Sequence, residues 1–324
     1  MSKAWTIPSL LGLIALLALV SLAAGKVWAP LSAWTDHSDP RWSIIFELRA
    51  PRTLLAVLVG GGLAMAGAAM QGYTRNPLAD PGVLGVSSMA ALGAVLTLYF
   101  GAAAGASWIL PAAALLGALA GVMLLLALAG VTSSVITFVL AGVIVQTVAA
   151  AAVALALSLA PNPWATQEIL DWLMGSLADR SMQDVFLAAP FIAMGAGVLL
   201  SLRRDLDALS LGEASAESLG VDLKRTQLLL ALGVALAAGA SVAVTGVIGF
   251  VGLIVPHLLR PLVGAAPSRL LIPSAIGGAA LVLAADILVR LTPSVAEVKL
   301  GVALSALGGP FFLAMLISLR RRLA

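Results

Sequence analysis

Side chains able to do chemistry are few in this 324-residue chain, and arginine dominates them. Arg49 and Arg52 flank Ala50-Pro51, and Arg290 lies four residues after Asp286. A guanidinium binds a carboxylate bidentately. Read from the sequence alone, these arginines suit anchoring at a membrane interface, or pairing with Glu47. Within the apolar runs the ionisable candidates are His257, Arg260 and Asp286, and charge inside a membrane is costly enough to suggest function. Plainer roles stand beside that one. His257 and Arg260 follow Pro256 and can cap carbonyls that the proline frees. Asp286 and Arg290, four apart, share a helix face and can pair. The sharper alternative is a proton relay through them.

Several chemistries lack their residues. There is no cysteine, which excludes disulfides, iron–sulfur ligation and cysteine nucleophiles. His257 and His37 are the two histidines and fall in separate regions, so no metal site is expected. No G-x-x-x-x-G-K-[ST] phosphate cradle occurs, so the chain is not an ATPase. No cluster of carboxylates could hold Mg²⁺ against phosphates, as a membrane-embedded transferase would need. No basic, aromatic-interleaved patch points to nucleic acid. No catalytic residue and no cofactor is assigned to this chain.

The elements that position these groups are membrane helices. Hydrophobic residues make up 61% and charged residues 10%, and the mean hydropathy is +1.09. Lipid tolerates only helices and closed barrels, and these runs do not alternate as barrel strands would. The fold class is all-α, a polytopic membrane protein in contact with lipid, with residues 1–324 as a single transmembrane domain.

Ten spans are predicted. The first is Thr6 to Gly25, a retained helix in preference to a signal peptide. A polar connection, Lys26 to Arg52, carries Trp28, Trp34 and Trp42, which suit a membrane–water interface. The second span, Thr53 to Thr74, is rich in Gly and Ala and so suited to close helix approach inside a bundle. The third to fifth are Val86 to Phe100, Trp108 to Ala129 and Val135 to Leu159. A short amphipathic helix is expected near Gln167 to Leu177. The sixth is Val185 to Leu202 and the seventh Thr226 to Val247. The eighth, Gly249 to Ala265, reads as broken at its prolines. The ninth and tenth are Leu270 to Val289 and Leu300 to Leu319.

Of the 18 Lys and Arg, eleven fall on the side of the termini and seven on the other, which puts both termini in the cytoplasm. Arg52-Thr53 to Gln71-Gly72 and Arg225-Thr226 to Thr245-Gly246 form a weak repeat. Their opposite directions give the inverted pattern common in transporters.

Three motifs go further. R-A-P-R (49–52) leads into an apolar helix ending M-Q-G, followed by R-N-P-L-A-D-P-G-V-L-G-V (75–86); G-V-A-L-S-A-L-G-G-P closes the series (301–310). Together they closely resemble the permease family of bacterial ABC importers for iron chelates (ferric siderophores and haem) and vitamin B12. The resemblance runs from about Arg49 to the end and implies a type II importer permease fold. It implies a homodimer in the bacterial inner membrane, joined by two ATP-binding subunits that hold the ATP and Mg, and by a periplasmic substrate-binding protein.

The resemblance also assigns residues. Arg49, Arg52 and Arg290 match positions that receive glutamates on the two lobes of the binding protein. Residues 203–225 form a cytoplasmic loop in which Gly212, Glu213, Ala214, Ser215, Ala216, Glu217, Leu219 and Gly220 resemble the segment coupling permease to ATPase. Gly220 would end its helix. The fifth span lines the pathway, with Ser133, Ser134, Thr137 and Gln146 as gate and pathway candidates. Val135-Ile136 stands where part of the family's hydroxyl pair would align, which leaves the gate open. The hydroxyls can equally bond the preceding helical turn. Arg75, Asn76, Pro77, Asp80, Pro81 and Gly82 form a structured exit loop. The cargo expected is an iron chelate, siderophore or haem, ahead of cobalamin. An ion-coupled secondary transporter is the alternative reading.

Overall fold

In lipid an unpaired backbone amide has no water to turn to, so each long apolar run closes its own hydrogen bonds as a helix. The computed structural model describes residues 6–130, 134–293 and 297–323. Among them the chain is helical, with no strand. We number the elements α1 Thr6–Ala23, α2 Pro40–Thr74, α3 Val86–Tyr99, α4 Ile109–Ala129, α5 Val135–Ser158, α6 Pro163–Leu173 and α7 Met182–Ser201. There follow α8 Arg203–Leu209, α9 Glu213–Ser218, α10 Leu223–Thr245, α11 Val251–Val263, α12 Pro267–Leu291 and α13 Leu300–Leu323. Seven of these are long and apolar enough to cross a membrane, and α3, α11 and α13 are shorter apolar helices. Together they account for the ten expected spans.

The bundle is centred on α2. Some 78% of the spanning residues of α2 and of α10 are buried, and 61% of those of α12, against 11% for α1. Glycine makes this possible. A Cβ on Gly60 would lie 2.3 Å from the Gly278 carbonyl of α12, and one on Gly67 would lie 2.1 Å from the Gly252 carbonyl of α11. Close backbone approach of this kind replaces the hydrophobic driving force that lipid removes.

Three boundaries differ from expectation, each for a local reason. Helix α2 starts at Pro40 and not at Thr53. Asp39 caps it by accepting from the Arg41 amide at 2.8 Å, Pro40 suits its first turn, and a π-turn at Ile44–Arg49 carries it past the polar residues. The amphipathic helix near residue 167 runs Pro163–Leu173, because Asn162 caps its start and Gly175, at φ +67°, follows its end. The eighth span is not broken at its prolines. It is continuous through Pro256 and Pro261, and the break precedes it, between Gly246 (φ +74°) and Phe250 (φ +67°).

Arg260 does not cap a freed carbonyl directly. Pro256 has no N–H to offer the Gly252 carbonyl four residues back. Gln71 of α2 takes its place, donating to Gly252 O at 3.2 Å, while Arg260 Nη2 donates to Gln71 Oε1 at 2.8 Å. The M-Q-G glutamine thus ties α2 to α11.

Candidate functional site

Two ends of the bundle concentrate the polar groups. At the α6 end, Arg49, Arg52 and Arg290 come together, though not on Glu47. The last turn of α1 leaves carbonyls without helical partners, and cations are favoured there. Arg49 Nη1 donates to Leu22 O at 3.0 Å and Ala23 O at 2.8 Å, and its Nη2 to Val27 O. Arg290 Nη1 donates to Ser21 O at 2.8 Å and its Nη2 to Ser21 Oγ at 2.5 Å. Ser21 also bonds Thr53 across 2.7 Å. Two arginines therefore hold the end of α1 against α2 and α12.

Arg52 is engaged by carboxylates. Its Nε donates to Asp286 Oδ1 at 2.9 Å, and its two Nη groups grip Glu297. Asp286 is fully buried and pairs on its other side with Arg290 at 3.0 Å. Only 7–9% of each of Arg49, Arg52 and Arg290 is exposed. The pairing of Asp286 with Arg290 read from sequence is present, and it leaves Asp286 between two guanidiniums, an arrangement ill suited to a proton relay. Glu297 escaped the sequence reading; a lone acid just ahead of the last span was its one signal.

The arginines line a cavity of about 210 Å³ shared with Lys26, Asp179 and Arg180. Arg180 also escaped as a site residue. Burial pushes its guanidinium below the ordinary value, opposed by Asp184 and Asp179, and it stays protonated. Residues 178–180 separate this cavity from a second of about 230 Å³ bearing Glu168, Asp171 and Lys299. There Asp171 pairs with Lys299 at 3.2 Å. Hydrogen bonds from Gln167 and Lys299 hold the Asp171 carboxyl below its usual range.

At the opposite end, residues 203–225 fold into α8 and α9. Leu206, Leu209 and Ala216 are buried and fix the loop to the bundle. Asp207 accepts from the Ser268 amide at 2.9 Å, Asp205 from Thr226 Oγ1 at 3.2 Å, and Arg75 pairs with Glu213 at 3.5 Å. Gly220 (φ +87°) ends α9: its amide bonds Glu217 O, and the Val221 amide bonds Ala216 O. That is a Schellman closure, which favours glycine at this position. Gly212 (φ +105°) opens α9. Leu211 and Leu219 stay about two-thirds exposed, at 66% and 64%.

The exit loop is ordered by its own side chains. Asn76 Oδ1 accepts from the Leu78 amide and Asp80 Oδ1 from the Gly82 amide, both at 2.9 Å. Pro81 lies against Gly252 of α11, and Val83 O lies where a Cβ on Gly142 of α5 would go. Ser134 caps α5, accepting from the Thr137 amide at 3.3 Å. Gln146 lies on the exposed face of that helix. Ser133 lies outside the described residues. Tyr73, Ser134, Glu213, Glu217, Asp222 and Lys224 line a cavity of about 580 Å³, which joins the start of α5 to α9. No group of three or more His, Asp or Glu is placed to hold a metal ion among the described residues.

Residues 13–318 match the FecCD transport family. The chain is 39% identical to the vitamin B12 import system permease protein BtuC of Vibrio cholerae, covering 95% of this chain and 92% of that one. It is 38% identical to the hemin transport system permease protein HmuU of Yersinia pestis, covering 97% and 95%. A solved inward-facing metal-chelate type ABC transporter superposes with a TM-score of 0.87 at 31% identity, over 96% of this chain and 98% of that one.

Proposed function

The chain belongs to the FecCD transport family, and from that premise we propose that it is the permease subunit of an ATP-driven importer in a bacterial inner membrane, with both termini in the cytoplasm. The observation that carries this reading is the match to import permeases along nearly the whole chain. Two copies enclose the pathway, with the exposed face of α5 lining it. ATP binding and hydrolysis belong to two partner subunits, which seat on Gly212 to Gly220. Short helices braced on α2, α10 and α12 can pass closure of a partner to the membrane helices, and the exposed Leu211 and Leu219 offer it an apolar contact. At the other end, the socket framed by Arg49, Arg52 and Arg290 receives a periplasmic substrate-binding protein. Docking and ATP-driven closure would alternately favour outward- and inward-open states.

The cargo is a bulky metal chelate: corrinoid, haem or ferric siderophore. Near-equal identity to the B12 and the hemin permease gives no preference among these. An ion-coupled mechanism would need a free titrating group in the membrane, and its candidate Asp286 is held by two arginines.

The test is uptake in liposomes holding this chain with its ATPase and binding protein, offered cobalamin, haem or ferric siderophore. Uptake of one of them only with ATP is expected. Uptake driven by a proton gradient without ATP would overturn the reading.

A further inference from the structure

A cavity of about 180 Å³ opens at the end of the bundle that carries α8 and α9, and import as described above makes no use of it. Arg75, at the end of α2, and Arg260, on α11, both line it, together with Gln71 and Ser210. The rest of its wall is apolar and includes Ala68 and Leu270.

The two guanidiniums are poorly matched by carboxylates. Arg75, with 42% of its side chain exposed, reaches Glu213 only at 3.5 Å, against about 2.7–2.9 Å for a close charge-assisted bond. Arg260 is partly buried and forms no ion pair among the described residues. Its Nη2 donates to the neutral Gln71 Oε1 at 2.8 Å, and its Nε is shut off from solvent with no acceptor. Asp207, one turn before Ser210, is spent on the Ser268 amide at 2.9 Å. The start of α12 is thereby already satisfied, so the positive character of the cavity comes from the two arginines.

Two guanidiniums short of carboxylate suit an anion with several oxygens, and the arginine fork matches phosphate geometry. The cavity is smaller than the roughly 300 Å³ at which pockets for drug-sized ligands begin, so it suits a group the size of a headgroup and not a nucleotide. We propose that it is a phosphate-binding site, with Arg75 and Arg260 as its ligands. An anionic phospholipid and free phosphate share this chemistry, and the apolar wall favours the lipid. On the helices that border the cavity, Leu262 of α11 and Ile272 of α12 are 41% and 46% exposed, as at a surface that meets acyl chains. The import reading enters only through its orientation, which puts this end at the cytoplasmic leaflet with its anionic lipids. Because Arg75 also holds Glu213, a bound phosphate would link α2 and α11 to α9.

The test uses the complete importer, with its ATPase subunits, stripped of lipid in an uncharged detergent. The probes are dioctanoyl phosphatidylglycerol, dioctanoyl phosphatidylcholine and inorganic phosphate. Bound ligand is read by native mass spectrometry and stabilisation by the melting temperature. Phosphatidylglycerol is expected to stay bound and to raise the melting temperature, and phosphatidylcholine to do neither. Arg75→Gln and Arg260→Gln should each weaken phosphatidylglycerol binding about tenfold, as loss of a charged hydrogen bond implies. Arg75→Gln gives up only the long, exposed pair with Glu213, so its result does not depend on a folding defect. Arg204→Gln, at an exposed cation of the same end outside the cavity lining, should bind as the parent does.

Stabilisation by phosphatidylglycerol alone, lost in Arg75→Gln, would bear out a headgroup site. Equal stabilisation by inorganic phosphate, lost in the same variant, would bear out a phosphate site open to the cytosol. Equal retention of the two lipids, or no binding of any probe, would overturn the inference. So would binding by Arg75→Gln within twofold of the parent, or an equal loss in Arg204→Gln, which would make the attraction diffuse. Phosphatidylglycerol binding by a complex that moves no chelate with ATP would overturn the import reading and leave this site standing.

Discussion

At the scale of single residues, the strongest electrostatic commitment in the chain is Asp286. It is fully buried and answers two guanidiniums, Arg52 at 2.8 Å and Arg290 at 3.0 Å. Removing one member of such a network leaves charge buried without compensation, which costs about 3–5 kcal/mol. Asp286→Asn keeps the volume and removes the charge, and is expected to lower the melting temperature sharply in detergent or nanodiscs. Asp39→Asn provides the contrast. Its ion pair with Arg41, 41% exposed on the arginine side, is a surface pair worth at most about 1 kcal/mol, and asparagine caps a helix nearly as well as aspartate. Equal melting temperatures for the two variants would show that Asp286 contributes no more than a surface acid. Half of this network was legible in the sequence: Asp286 and Arg290 are four apart and announce their pair. Arg52 was not, because 234 positions separate it from Asp286 and no local rule relates them. Gln71 is a similar case, since the carbonyl it answers is freed by a proline on another helix.

At the scale of elements, α9 shows what a short helix needs in order to act. Six residues cannot hold a helix by propensity alone, so its ends are fixed: Gly212 and Gly220 at positive φ, Ala216 buried beneath, and Glu213 tied to Arg75. Nothing lies within 4 Å of a Cβ built on Gly220. A side chain there meets no neighbour in the chain and costs only the left-handed backbone, about 1–3 kcal/mol. Gly220→Trp is therefore expected to fold and to lose ATP-driven uptake at least tenfold, by filling the space that the proposed ATPase contact would take. Gly220→Asn, a residue that tolerates this backbone, should keep most of it. Full uptake by the tryptophan variant would remove α9 from the coupling path.

Helix identity was readable from the apolar runs because lipid leaves the backbone no other choice. Helix limits were less so. The polar start of α2 reads as a loop until Asp39 and Pro40 are recognised as a cap. The pause before α11 lies at Gly246 and Phe250, whereas the prolines that suggested a break sit inside a continuous helix.

At the scale of the whole molecule, the informative feature is a polar interruption on an apolar face. Helix α5 exposes Ile136, Leu140, Ile144 and Val148, each more than half accessible, and Gln146 and Thr147 on the same stretch. Thr147 answers its own helix, donating to Val143 O at 2.8 Å. Gln146 has an amide with two donors and an acceptor, and burying such a group in hydrocarbon without partners costs about 2–7 kcal/mol. Helix α4 offers the comparison: its exposed side chains include Leu116 and Met123, at 66% and 69%, as a lipid-facing surface should. On the proposed arrangement of two copies the two exposed faces would meet different surroundings, α4 lipid and α5 a water-filled path between copies. Because the chain has no cysteine, a single-cysteine variant carries one thiol on this chain, and the parent importer supplies the labelling background. Gln146→Cys is expected to react with a charged, water-soluble maleimide in the assembled importer, with a rate that changes when ATP is added. Met123→Cys should stay unreactive in both conditions. Equal reactivity at the two positions would mean that α5 faces lipid as α4 does, and the pathway would have to be sought on another face of the bundle.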